Sequence, residues 1–124
     1  MSKIVAGLLY SESHEWVKVD GNIAIIGVSD YAQSELGDIT YVDMPSEGDT
    51  VARGEELGAL ESVKTAADII SPVSGTVIAT NNAVEDDPSL INADPYTNWI
   101  VKVEMSDTSE LDGLLSAAKY ETIL

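Results

Sequence analysis

The chain has 124 residues, of which 22 are acidic and 6 basic, for a formal net charge of −16. A surface this negative repels phosphate backbones and excludes nucleic acid as a favoured partner. The absence of cysteine excludes a disulfide framework, a thiolate zinc site, an iron–sulfur cluster and a cysteine nucleophile, and a single histidine excludes a multi-histidine metal site within one chain.

From the N-terminus, the run from Met1 to Tyr10 is short, carries one lysine and is broken by Gly7, which is not the pattern of a signal or transit peptide. Trp16–Val19 and Asn22–Val28 flank Asp20-Gly21 and predict a β-hairpin. Ser29 suits a helix N-cap before 30–36, and Gly37 suits the residue just past its end. Ile39 to Met44 alternates as a strand and closes in the turn Pro45–Asp49. Glu56–Val63 runs into Lys64-Thr65, Ala66–Ser71 runs out again, and Pro72 stops it. Gly75–Thr80 is a further strand, Asn81–Asp94 reads as a polar loop with Pro88, and Trp99–Met105 is the last clear strand. Leu111, Leu114, Leu115 and Ala118 then recur at helical spacing behind Ser109, with Asp112 three residues on, which predicts an amphipathic helix over 109–119. Gly37, Ile39, Glu47 and Asp49 match Gly75, Val77, Glu85 and Asp87 at an offset of 38 residues, the mark of two related β-layers or of chance in turn-rich sequence.

These elements predict one mainly-β domain over 1–124: a flattened hybrid barrel or sandwich of two β-layers, with a short helix near 29–36 and a C-terminal helix near 109–119. The hydrophobic content of 44 % supports a folded core, and a folded chain of this length exposes about 6,400 Å² against about 19,000 Å² when extended. No apolar run approaches the ~18 residues of a membrane span, so a cytoplasmic protein without a membrane partner is expected.

Lys64 stands out on the residues alone. With Lys64-Thr65 as the turn, Val63 faces Ala66, Ser62 faces Ala67 and Glu61 faces Asp68, and the lysine sits at a hairpin tip open to a modifying enzyme. Glu61 opposite Asp68 sets like charges across the ladder, and local rule-breaking of that kind marks function.

Glu61-Ser62-Val63-Lys64, then Asp68 and Ser71-Pro72-Val73-Ser74-Gly75, resembles the lipoyl-attachment hairpin of the glycine cleavage system H protein family. The resemblance spans nearly the whole chain. Tyr10, Ser13-His14-Glu15-Trp16, Gly27–Gln33 and Leu36-Gly37-Asp38-Ile39 match its N-terminal half, and Pro88, Leu90-Ile91-Asn92, Pro95-Tyr96 and Trp99 its C-terminal half. Pro95-Tyr96-Thr97-Asn98-Trp99 departs from it, one residue short and with Asn98 where glycine is usual; Asn tolerates positive φ better than most residues.

The resemblance implies a carrier, not an enzyme, with lipoic acid on the Lys64 side-chain nitrogen. Its partners would be a pyridoxal-phosphate glycine decarboxylase, a tetrahydrofolate-dependent aminomethyltransferase, a dihydrolipoamide dehydrogenase, and a lipoate ligase or lipoyl/octanoyl transferase. It also implies that Ser13, Glu15 and Asp68 line a cleft that receives the loaded arm, with Glu61 part of the attachment motif. Ser13 and Glu15, two apart in an expected strand, share a face.

Other readings are weaker. Ser13-His14-Glu15 cannot form a nucleophile–base–orienter chain from consecutive strand positions, and no Gly-x-Ser-x-Gly elbow exists. Asp86-Asp87 lacks the spacing of a calcium loop. A biotin carrier places Met on both sides of its lysine, where this chain has Val63 and Thr65, and a 2-oxoacid dehydrogenase lipoyl domain is shorter and tethered. A donor in lipoate relay, and an unmodified acidic β-rich interaction module, are the alternatives.

Overall fold

Short apolar runs with period-two alternation place their hydrophobic residues on one face, and two such faces must cover each other. The computed structural model describes residues 2–124 and shows this arrangement in two open sheets that do not close into a barrel. The larger sheet contains β1 (Leu9–Tyr10), β2 (Glu15–Asp20), β3 (Ile23–Val28), β5 (Thr50–Val51), β8 (Gly75–Thr80), β9 (Val101–Met105) and β10 (Leu115–Ser116). The smaller contains β4 (Ile39–Asp43), β6 (Glu56–Ser62) and β7 (Ala66–Ile70), in the order β4-β6-β7. The exposed area of 6,208 Å² is close to the ~6,400 Å² expected of a folded chain of this length.

The register explains the core. Val17 pairs with Ile26 and Ile26 with Val101, so three fully buried side chains stand in one row on the inner face of the large sheet. They belong to one cluster with Val42, Leu60 and Ile69 of the small sheet. Burying each such side chain contributes about 1.5–3 kcal/mol. A second cluster on the other side of the large sheet joins Tyr10, Trp16 and Tyr120. Gly27 is required there, because a Cβ on it would lie 2.6 Å from the Trp16 indole.

The helix expected at 29–36 forms as α1 (Asp30–Leu36), with the Ser29 hydroxyl accepting the Ala32 N–H and Gly37 following at φ +76°. Four expectations are corrected. The first hairpin turns at Gly21-Asn22, because Asp20 still pairs with Ile23 and only Gly21 takes a positive φ. The polar stretch 81–94 holds two short helices, α2 (Asn82–Asp86) and α3 (Ser89–Ala93), anchored by the fully buried Val84 and Ile91. Five-residue helices are too short to show a period.

The helix expected over 109–119 is divided in three. Asp107, not Ser109, caps a 3₁₀ turn over Thr108–Gly113; Leu115–Ser116 pairs with β1 as β10; and Ser116 caps α4 (Ala117–Glu121). Gly113 costs a continuous helix about 1 kcal/mol relative to alanine, and pairing with β1 gives the backbone its alternative. Leu111 and Leu114 pack on the main core while Leu115 packs on the second cluster, so their helical spacing does not describe one face. The offset of 38 residues aligns β4 with β8, one strand in each sheet, but Glu47 falls in a turn and Glu85 in α2, so the match ends with the strands.

Tyr120 fastens the C-terminus. It is fully buried, stacks on Tyr10 with ring centroids 4.3 Å apart, and its hydroxyl lies 2.7 Å from both His14 Nδ1 and Ser29 Oγ. Tyr120→Ala is expected to cost about 3–5 kcal/mol, as for other large buried aromatics. Tyr120→Phe is expected to cost about 1–3 kcal/mol through the unpaired partner groups it leaves. Urea denaturation of the two variants and the parent checks both values.

Candidate functional site

The Lys64 hairpin has a four-residue tip. Ser62 N–H donates to Thr65 C=O at 2.7 Å, and the Ser62 hydroxyl accepts the N–H of Lys64 at 3.2 Å and of Thr65 at 3.1 Å. A serine that satisfies the turn's own amides in this way closes the loop without a tight two-residue turn. The register therefore differs from the expected one: Glu61 faces Ala66, Leu60 faces Ala67 and Asp68 faces Ala59. The like-charge pair read from the sequence does not form. Val63 is 69 % exposed, Lys64 and Glu61 are exposed, and Val63 N–H ties the tip to Asp38 C=O at 3.1 Å.

Beside this hairpin lies a cleft of about 190 Å³ that brings Ser13, Glu15 and Asp68 together; Glu61 is not in its lining. One wall is the start of β2 with Val28 of β3. A second is α1, through Tyr31, Ala32, Glu35 and Leu36, and the third is the small sheet, through Leu60 and Ala67–Ile69. Ser13 is not on a strand face with Glu15 as expected. It sits in the turn before β2, and its hydroxyl still reaches the Glu15 carboxylate at 2.5 Å.

Glu15 is 1 % exposed. One carboxylate oxygen accepts from the hydroxyls of Ser11 at 2.6 Å and Ser13, and the other from the Ile70 N–H at 3.2 Å. Desolvation pushes its pKa above the usual glutamate value, against these hydrogen bonds, which pull it down. A carboxylate has about four acceptor sites, so three donors leave room for one more. The arrangement suits a cation arriving from the cleft, which would offset the desolvation.

Between them, His14 adopts φ +74°. Its ring packs on Tyr31 with centroids 4.7 Å apart and meets the Tyr120 hydroxyl, and burial lowers its pKa against the opposing effect of Glu35. The histidine is packed and joins the C-terminal helix to the cleft wall.

Ser11, Tyr31 and Glu35 were not singled out from the sequence. Tyr31 and Glu35 were findable, being four apart on a helix read correctly; Ser11 was not, because its bond to Glu15 needs the turn. Asn98, in the shortened loop, needs no positive φ: its side-chain amide donates to Leu90 C=O at 2.9 Å and Asp94 C=O at 3.0 Å.

These features define a class: a small acidic β protein whose two sheets present one lysine hairpin beside a cleft floored by a buried carboxylate. The family model described as Glycine cleavage H-protein matches residues 8–124. The glycine cleavage system H protein of Syntrophomonas wolfei is 58 % identical over 121 residues, covering 98 % of this chain and 93 % of its own length. That of Clostridioides difficile is 52 % identical over 120 residues, covering 96 % of each. The crystal structure of a glycine cleavage system H protein from Mycobacterium marinum superposes with a TM-score of 0.89 at 35 % identity, over 97 % of this chain and 98 % of that one. The chain belongs to the glycine cleavage H-protein family, which gives it a role, and its partners, in the glycine cleavage system. Among the described residues no helix is long and apolar enough to cross a membrane.

The raised Glu15 pKa has a definite sign in stability. The folded state holds this proton more tightly than the unfolded chain, so stability falls as pH rises from the ordinary glutamate value of about 4.5 through the raised one. The melting temperature of the parent relative to Glu15→Gln should therefore rise as pH is lowered from neutrality through that window. A difference independent of pH would contradict the burial of an ionised Glu15.

Proposed function

We propose that Lys64 carries lipoic acid through an amide, and that the chain is a carrier rather than an enzyme, one lipoyl-bearing domain over residues 1–124. The observation that carries this reading is the buried Glu15 carboxylate, held by three donors with an acceptor site left over, facing a cleft whose opposite wall belongs to the Lys64 hairpin. Bound there, lipoic acid would supply an oxidised dithiolane: its S–S bond would break as one sulfur accepts the aminomethyl group of glycine at a pyridoxal-phosphate decarboxylase and the other becomes a thiol, and passage of the group to a tetrahydrofolate-dependent aminomethyltransferase would leave the dithiol for reoxidation by a dihydrolipoamide dehydrogenase.

The chain's own residues supply attachment, orientation and protection. Lys64, exposed on a tip anchored at both Ser62 and Asp38, offers its amine to a lipoate ligase or lipoyl/octanoyl transferase, with Glu61 and Val63 exposed beside it. Glu15 and Asp68 hold the aminomethyl nitrogen in its protonated form, because a nearby carboxylate favours the cation. Ser13, already donating its one hydroxyl hydrogen to Glu15, accepts from that ammonium through a free lone pair. Leu36, Leu60 and Ile69 keep water from the carbon–sulfur junction.

Two outcomes are expected. Intact-mass and peptide mapping after incubation with a lipoate ligase should find one lipoyl group, on the Lys64 peptide, and none on Lys64→Ala. In protein loaded with the aminomethyl group and kept from the transferase, Glu15→Ala and Asp68→Ala should lose it faster than the parent, and the remote Asp86→Ala should not. Equal loss from all four proteins would remove the carboxylates from the mechanism.

A further inference from the structure

A lysine on an exposed hairpin tip has a flexible four-carbon stem and no reason to lie in one direction. Lys64 nevertheless lies across the backbone of Gly37: a Cβ built on residue 37 would sit 3.0 Å from Lys64 Cε and 3.7 Å from Nζ. Gly37 itself holds φ +76° and ψ −154°, a region open essentially to glycine alone. The backbone therefore demands glycine here, and a Cβ would in addition press on the lysine stem above it, displacing that stem by a few tenths of an ångström. The next residue back, Leu36, lines the cleft.

The segment under the lysine is fixed from below. Asn92 of α3 accepts the Ile39 N–H at 2.9 Å and donates to Gly37 C=O at 2.8 Å and to Gln33 Oε1 at 2.9 Å. One side-chain amide thus grips the chain on both sides of Asp38, whose carbonyl takes the Val63 N–H of the tip. The only amide orientation that satisfies all three partners is this one, since the oxygen must face an N–H and the nitrogen two oxygens.

We propose that Gly37, held by Asn92, is a positioning residue that directs the Lys64 arm along the end of α1 into the cleft. The proposal rests on the reading of Lys64 as the attachment site and of the cleft as the seat of the loaded group. Its physical content is preorganisation: a stem already laid over Gly37 loses less rotamer freedom when the loaded arm folds in.

The test uses lipoylated, aminomethyl-loaded full chain in four forms: parent, Gly37→Ala, Asn92→Asp and Glu15→Gln. Asn92→Asp keeps the size and the acceptor for Ile39 but loses both donated bonds. The first-order loss of the aminomethyl group is timed without the transferase, and the amide resonances of Leu36, Ala67 and Asp68 are compared before and after loading. Gly37→Ala and Asn92→Asp should lose the group at least about threefold faster, a modest part of the ~10²-fold that a 1 Å misplacement can cost. The resonance shifts on loading should shrink in both, while the empty arm is reduced by a phosphine at the parental rate. A merely structural role would not separate the loaded from the empty arm in this way. Parental lifetimes and shifts in both variants, with Glu15→Gln still shortening the lifetime, would overturn the positioning role and leave the cleft intact. A parental lifetime in Glu15→Gln would overturn the cleft reading and the positioning role with it. Should Gly37→Ala fail to fold, Asn92→Asp decides alone.

Discussion

A carboxylate taken out of water must be compensated, and the burial of Glu15 at the first position of β2 imposes that demand on everything around it. Among the described residues the compensation comes from two serine hydroxyls and one backbone N–H that converge on it. Bringing Ser11 and Ser13 to the same oxygen requires a tight turn between β1 and β2, and His14 takes up the strain of that turn at φ +74°. The Ile70 N–H is available because β7 is the edge strand of the small sheet. One buried oxygen pair thus ties the two sheets together at the point where the cleft opens.

The strained histidine connects this site to the end of the chain. Its Nδ1, the Tyr120 hydroxyl and the Ser29 hydroxyl form a line of short hydrogen bonds from the Glu15 turn through α4 to the N-cap of α1. Since α1 forms one wall of the cleft, the C-terminal helix acts as a strap that holds two of the three walls in register. Buried polar networks of this kind are costly when broken and specific when complete.

Much of this was legible in the sequence, and the exceptions have identifiable causes. α1 was readable because its cap, its apolar residues and its terminating glycine are all local. The two-layer architecture followed from alternation, and the lysine tip from its place between two strand-like runs. The hairpin register was misread by the length of its turn, because the Ser62 hydroxyl makes a four-residue tip that residue identity alone does not announce. The C-terminal segment was misread because Leu111, Leu114 and Leu115 keep helical spacing while a partner distant in sequence, Leu9–Tyr10, draws Leu115–Ser116 into a strand. Ser13 and Glu15 were rightly paired for the wrong reason: they meet through a turn, not across a strand face. The capped helix and the alternating strands survived, while turn lengths set by a side-chain hydrogen bond and the segment claimed by a distant strand did not.

Charge gives the proposed cycle its direction. Amidation of Lys64 would remove the charge of one of the 6 basic residues and take the formal charge from −16 to −17 (−16 − 1). An empty amide-linked arm is neutral and gains nothing electrostatic from Glu15 or Asp68. An arm bearing a protonated amine meets a buried carboxylate with an unused acceptor site and a second carboxylate at the rim. On the proposed reading the cleft would therefore favour the loaded arm over the empty one through charge, while its apolar walls would treat both alike. A net charge of −16 would steer the chain toward basic partner faces over a distance that shrinks with salt, on the order of 8–10 Å at physiological ionic strength. Against the buried Glu15 that screening is much weaker. Retention of the loaded group and capture by partners thus respond differently to salt, the first held by burial and the second governed by the solvated field.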